Sequence, residues 1–335
     1  RPCAHGEPEL SSIVSYLPHT PEDVRDMLRV IGKPSLDSLF DSVPEPLWLK
    51  RPLNLPAGLC EADTARQVGE LLARNRPPRL SFAGAGAYEH YIPAAVRALV
   101  GRGEFLTAYT PYQPEASQGS LQAFFEFQTL ICELTGLDVA NASLYEAGSA
   151  LAEGVLMARR AASRPRVLVA AGVHPLHRRV LATYLAFLDC VLEELPARDG
   201  VTDLDRLAVG ADVCAVVVQH PNVFGCLEPV AEIAAAARAA GALSVASVNP
   251  VSLGLLQPPG AWGADIAVGD VQPVGVPLNF GGPYAGFLAC RKELVRRMPG
   301  RLVGMTVDGR GRRGYVLTLQ AREQQIQGIA NDQVA

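Results

Sequence analysis

From residue 166 onward the sequence alternates short, mostly apolar runs with helix-length segments, and this alternation limits the fold more than any other feature. The runs are RVLVAA (166–171), CVLEEL (190–195), VCAVVVQ (213–219), LSVASV (243–248), DIAVG (265–269) and GFLAC (286–290). Between them lie PLHRRVLATYLAFL and PVAEIAAAARAAG, the second with Pro229 at its start and Gly241 at its stop. Strands apolar on both faces, alternating with helices, predict an α/β fold with a mostly parallel sheet covered on both sides. In such sheets ligands sit beyond the carboxyl ends of the strands. That rule selects His174, the segment 219–226, Asn249 and the loop 270–283.

The chain ahead of this alternation reads differently. LPHTPEDVRDMLRVIG offers Thr20 as N-cap, Pro21 at the first helical position and Gly32 as stop. SLDSLFDSVPEPL reads as a short helix ended by prolines, and CEADTARQVGELLARN as a third helical stretch. Residues 1–80 are therefore expected to form a helical N-terminal arm, either wrapping a partner or capping its own domain. GSLQAFFEFQTLICELTG is apolar on nearly every side and predicts a helix buried on several faces, closed by Gly136. LYEAGSALAEGVLMARRAA is the next helix. LVGMTVDGRGRRGYVLTL predicts a hairpin with a basic, solvated tip.

Composition removes several classes of function. With a net charge of −4 there is no broad basic field, so neither nucleic acid nor an anionic membrane is an expected partner. No apolar run reaches the roughly eighteen residues a membrane span needs. Seven scattered cysteines (Cys3, Cys60, Cys132, Cys190, Cys214, Cys226, Cys290) without a CxxC pair read as reduced thiols in a cytoplasmic compartment, and no metal site is expected.

Three polar constellations remain. YTPYQPEASQG is held extended by two prolines and ends at the mouth of the buried helix, whose N-terminal amides favour anions. Tyr109, Thr110, Tyr112, Gln113, Glu115, Ser117 and Gln118 supply its hydroxyls, amides and one carboxylate. FAGAGAYEHYIP places Tyr88 and His90 after Gly84 and Gly86, which permit close backbone approach, and reads as a close-packed turn. GDVQPVGVPLNFGGPYAGF has the form of a cofactor loop but holds no lysine.

Six segments together resemble subunit 1 of the two-chain glycine cleavage system P-protein. They are YLPHTPED, FAGAGAYEHYIPAAV, the long stretch from Tyr109 to Glu153, GDVQPVGVPLNFGGPYAGF, RRMPGRLVG and GYVLTLQAREQ, in that order from about residue 16 to 324. The stretch from Tyr109 to Glu153 is the most specific. The resemblance implies a pyridoxal-phosphate aminotransferase-like (fold type I) large domain over 81–320 after the 1–80 arm. It also implies a truncated C-terminal small domain, of which 321–335 would be a remnant. Within the family, subunit 2 carries the pyridoxal phosphate, and no cofactor is expected on this chain. Gln272 then occupies the position of the Schiff-base lysine, and a glutamine amide forms no Schiff base. Asn249 stands where related folds place the carboxylate that pairs with the pyridine nitrogen, and it cannot balance that charge. His174 closes a strand where related folds stack a side chain on the cofactor ring. No catalytic residue is expected in this chain.

The implied activity is that of an oxidoreductase subunit inactive by itself. It would support decarboxylation of glycine and transfer of the aminomethyl group to the lipoyl arm of H-protein by subunit 2, in an α2β2 heterotetramer. Tyr109, Thr110, Tyr112, Gln113, Glu115, Ser117, Gln118, Tyr88 and His90 would line the active-site region near the subunit interface. Three alternatives stay open: a scaffolding or regulatory relative that kept the fold without the activity, an autonomous enzyme using Lys292, and the front half of a fused P-protein.

Overall fold

The computed structural model describes residues 19–49, 51, 53–76, 78–80, 82, 88–106, 110–278, 282 and 284–319. Tyr109, Gly84, Gly86, Cys3, most of the stretch 279–283 and the segment 321–335 lie outside the described residues. The chain divides into two compact units, Arg1–Phe82 and Ala83–Ala335.

In the first unit, α1 (Pro21–Ile31) starts where the sequence places it. Thr20 and Asp23 form a reciprocal capping box, Pro21 is at the first turn, and Gly32 closes the helix at φ 75°. The stretch expected to hold one short helix instead forms two 3-10 turns, Asp37–Phe40 and Glu45–Leu47. Pro44 and Pro46 explain the difference, because neither can donate to a continuing helix. α2 spans Glu61–Leu72. No described residue of this unit is buried. Met27, Val30, Ile31, Leu36, Leu39 and Phe40 are all exposed.

The second unit opens with α3 (Ala94–Val100), α4 (Gln118–Thr135), β1 (Val139–Ala140), α5 (Ala147–Ala162), β2 (Arg166–Ala170) and α6 (Pro175–Leu185). It continues through β3 (Val191–Leu195), β4 (Ala197–Arg198), β5 (Val201–Thr202), β6 (Val213–His220), α7 (Val230–Ala239), β7 (Leu243–Val248) and α8 (Pro259–Trp262). It ends with β8 (Ile266–Asp270), β9 (Gly286–Cys290), β10 (Leu302–Val307) and β11 (Arg313–Thr318).

Seven strands form one sheet in the order β1-β9-β8-β7-β6-β2-β3. From β3 to β8 every neighbouring pair is parallel, while β9 and β1 are antiparallel additions at one edge. The central strands are buried almost throughout, as a parallel sheet covered on both faces requires. On one face α5 lies across β6 to β9, and the buried cluster includes Leu151, Val155, Met157, Val245, Ile266 and Val268. Gly154 lets α5 approach β8, since a Cβ there would stand 3.1 Å from the Val268 side chain. On the other face Ile131, Ile233 and Trp262 cover the same sheet, in one buried cluster with Phe287 of β9. The exposed edge β3 carries charge, with Glu193 paired to Arg166 and Glu194 to Arg178, which opposes strand addition.

The predicted hairpin is β10–β11, and Asp308 closes its tip by accepting from the amides of Arg310 and Arg312. Two glutamines of α4 fasten it. Gln118 donates to the Tyr315 carbonyl and accepts from the Tyr315 amide, both at 2.9 Å. Gln128 makes the same pair of bonds to Val303 on the other strand, also at 2.9 Å. Among the described residues no helix is long and apolar enough to cross a membrane.

Candidate functional site

Polar groups gather where the strand-end rule places them, beyond the carboxyl ends of β2, β6, β7 and β8 and at the N-terminus of α5. β8 ends at Asp270, and the chain turns at once into a 3-10 turn, Gln272–Val274. Asp270 Oδ1 accepts from the Gln272 amide at 2.7 Å, and Oδ2 accepts from the Ala147 amide at 3.4 Å. Burial pushes the Asp270 carboxyl above its usual range, against the two backbone bonds that hold it down. Gln272 itself is only 4% exposed, and its side-chain amide donates to the Val276 carbonyl at 2.7 Å. The glutamine therefore holds its own loop closed.

The α5 N-terminus is filled by carboxylates of this chain. Glu146 accepts from the Ser149 amide at 2.8 Å and from the Gly148 amide, while Asp270 takes Ala147. Sequence reasoning missed Glu146, and no signal pointed to it, because glutamate is not among the favoured N-cap residues.

At the end of β2, His174 caps α6 through Nδ1, which accepts from the Leu176 amide at 3.1 Å. Its own amide donates to Gln219 Oε1 at 2.8 Å, tying the ends of β2 and β6 together. The His174 and His177 rings stack with centroids 4.5 Å apart. The three-residue spacing on one helix face was the available signal for this pair. His177 is pushed down to about 4, first by burial, then by His174, with Glu146 opposing. The unfolded ring takes its proton near its ordinary value of 6.5, the folded ring only near 4. Between these values the unfolded chain holds more protons, so stability falls as pH falls through that window. Asp270, raised, works in the opposite sense at the acid end. His177→Gln is expected to flatten the loss of stability between pH 6.5 and 4.5 by about 2 kcal/mol. Thermal melts at stepped pH check this, and an unchanged slope would rule it out.

β6 ends at His220, and a buried network follows. His220 Nδ1 accepts from the Glu228 amide at 3.1 Å, and burial lowers the imidazole's proton affinity, with Glu228 opposing. Glu228 accepts from the Thr202 amide at 2.8 Å and from the Asn222 side chain at 2.7 Å. Asn222 lies within the selected segment 219–226, whereas Glu228 is an addition beyond it that only the structure explains. Asn249, at the end of β7, is exposed, and its Oδ1 accepts from the Val251 amide at 3.0 Å.

The loop ahead of α4 is placed by the hairpin and by local bonds. Gln118 spends both ends of its amide on Pro114 and Tyr315. The Tyr112 hydroxyl accepts from Arg301 at 3.2 Å, and the same guanidinium lies 5.7 Å from the ring centroid. Thr110 and Ser117 are half-buried, and Tyr112, Gln113 and Glu115 are exposed. Tyr88 is exposed, and the half-buried His90 engages the Tyr88 carbonyl through Nδ1 at 2.9 Å. Among the described residues no group of three or more His, Cys, Asp or Glu could hold a metal ion.

A mostly parallel sheet with its polar groups at the strand carboxyl ends and at one helix N-terminus defines an aminotransferase-like α/β protein. Sphingosine-1-phosphate lyase of Burkholderia pseudomallei shares this fold at a TM-score of 0.55 and 14% identity, covering 81% of this chain and 66% of its own. A crystal structure of glycine decarboxylase (P-protein) of the glycine cleavage system, in inhibitor-bound form, matches at a TM-score of 0.81 and 54% identity. It covers 92% of this chain and 70% of its own. The family model for the glycine cleavage system P-protein matches residues 14–330. Probable glycine dehydrogenase (decarboxylating) subunit 1 of Carboxydothermus hydrogenoformans is 53% identical over 317 residues, covering 93% of this chain and 71% of its own length. The protein of the same name from Moorella thermoacetica is 53% identical over 315 residues. The chain belongs to the glycine cleavage system P-protein family.

Proposed function

We propose that this chain is the subunit of glycine decarboxylase that does not carry pyridoxal phosphate, and that it serves the glycine chemistry of a partner subunit 2. The relatives' designation as subunit 1 of glycine dehydrogenase supports a second, complementary chain. The observation that carries the reading is Gln272, whose side chain is buried and bonded to Val276 at the end of β8. The residues at the strand ends do not fit the cofactor. Gln272 offers no amine, Asn249 no charge, and Glu146 with Asp270 already takes the first α5 amides that would meet a phosphate. Lys292 is no substitute. It follows Cys290, which pairs with Ile266 at the start of β8, and so lies at the opposite end of the sheet from Gln272.

On this reading the chain's work is to bind its partner, shape the cavity and exclude water, with lipoylated H-protein as the acceptor and an α2β2 assembly. The loop residues Tyr109, Thr110, Tyr112, Gln113, Glu115, Ser117 and Gln118, with Tyr88 and His90, are the proposed contributors at the interface. The uncovered apolar side chains of the first unit, Val30, Ile31, Leu36 and Phe40 among them, support a partner-facing arm. The six described cysteines are unpaired thiols, which favours the cytoplasm.

The test is glycine–carbon dioxide exchange in the presence of H-protein and pyridoxal phosphate, with and without a cognate subunit 2, together with an absorbance scan of this chain alone. Exchange is expected only in the mixture, with no cofactor band on this chain. A visible cofactor band that borohydride fixes to this chain would overturn the reading, as would full exchange by subunit 2 alone.

A further inference from the structure

A cleft of about 460 Å³ opens at the C-terminal end of α5, lined by Arg159, Arg160, Ser163, Arg164, Pro165 and Asp189. Pro165 precedes β2, so the cleft lies at the amino end of that strand. The sixteen residues of α5 separate it by about 24 Å from the helix N-terminus at the candidate functional site. Three guanidiniums within six residues meet here. Among the described residues none of the three lies in an ion pair, whereas nearby Arg166 is paired twice and Arg178 once. Asp189 gives Arg159 only its main-chain carbonyl, at 3.4 Å.

The helix dipole favours cations in a last turn, and that alone would account for Arg159 and Arg160. It does not account for the rest. Arg164 lies beyond the helix, after Ser163 has turned the chain through the left-handed region at φ 52°. Its Nη1 is anchored by donating to the carbonyls of Val213 at 3.1 Å and Ala240 at 2.8 Å, which fixes the guanidinium at the cleft. Arg159 Nε is buried without an acceptor, a cost that an added oxyanion partner would relieve. Three arginines against one aspartate leave a local charge near +2. A phosphate monoester carries about −1.5 to −2 at pH 7 and presents oxygens that match guanidinium forks. The cleft volume is within the range of small-molecule sites.

We propose that this cleft binds a phosphate-bearing small molecule, at the opposite end of α5 from the candidate functional site. The experiment is calorimetric titration of inorganic phosphate and of pyrophosphate into the full chain, with ionic strength held constant by chloride. Saturable binding at one site is expected. Arg160→Ala and Arg159→Ala should each weaken it about 10-fold or more. A double Arg310→Ala, Arg313→Ala variant at the hairpin tip should bind as the unchanged protein does. Arg164→Ala should abolish binding, and because it also frees two carbonyls, its ligand-free melt must be recorded beside it. Should that variant fail to fold, the exposed Arg160 still decides the matter. Heat no greater than for chloride, affinity untouched by both Arg159→Ala and Arg160→Ala, or equal weakening by the hairpin variant would each overturn the proposal. None of these outcomes depends on subunit 2 or on the exchange reaction.

Discussion

Replacing Gly269 with alanine is expected to destabilise the chain by about 3 kcal/mol or more, the upper end of what overpacking costs. Gly269 sits on β8 between Val248 of β7 and Phe287 of β9. A Cβ there would stand 2.1 Å from the Val248 carbonyl oxygen and 2.5 Å from Phe287 Cε1. Neither neighbour can yield cheaply, because the first is backbone of the parallel ladder and the second is a fully buried ring. For a unit of this size the loss corresponds to a fall in Tm of roughly 6–12 °C. The strain falls one residue before Asp270 and three before Gln272, so the strand-end loop should shift and coupling to subunit 2 should drop in parallel. Thermal melts followed by circular dichroism decide it, and a change below about 1 °C would mean that β7, β8 and Phe287 are not packed as described.

The second large effect is expected at Glu228, which is 5% exposed. Glu228→Ala would strip the acceptor from the Thr202 amide and from the Asn222 side chain. The Thr202 amide is then left without a partner, at about 1–3 kcal/mol, while Asn222 Nδ2 keeps the Gly200 carbonyl at 2.7 Å and loses one bond of about 1 kcal/mol, so a total near 2–4 kcal/mol is expected. Glu228→Gln keeps one acceptor oxygen and should cost about half as much. Denaturant titration of both variants gives the comparison. If alanine costs less than 1 kcal/mol, or glutamine costs as much as alanine, the carboxylate does not hold this corner of the sheet together.

The core of the fold was readable because its strands are apolar on both faces, so VCAVVVQ and LSVASV needed only the alternation with helices to become a parallel sheet. Strand direction was not readable at GFLAC, because an apolar run carries no sign of whether its neighbour runs with it or against it. The antiparallel placement of β9 is what removes Lys292 from the strand-end site. The hairpin was legible because Asp308 and Gly309 belong to turn chemistry that acts over a few residues. Gln118 and Gln128 were not legible in their structural role, because their partners lie 197 and 175 residues away. At the strand ends, His174, Asn249 and the loop 270–283 followed from the ends of apolar runs, and Gln272 within that loop from the family resemblance. Glu146 did not, since its carboxylate acts on amides that any helix start presents.

The two glutamines of α4 also govern what the hairpin can recruit. A free strand offers a row of amides and carbonyls that any extended peptide can join, and this is the usual beginning of unwanted sheet growth. Gln118 and Gln128 each imitate one residue of such a visitor, occupying the amide and carbonyl of Tyr315 on one strand and of Val303 on the other. A side-chain amide has nothing beyond it to continue the ladder, so growth stops where it binds. The Gln118 side chain also donates to the Pro114 carbonyl at 2.8 Å, so the edge that is closed to a visiting strand is joined through one residue to the loop ahead of α4.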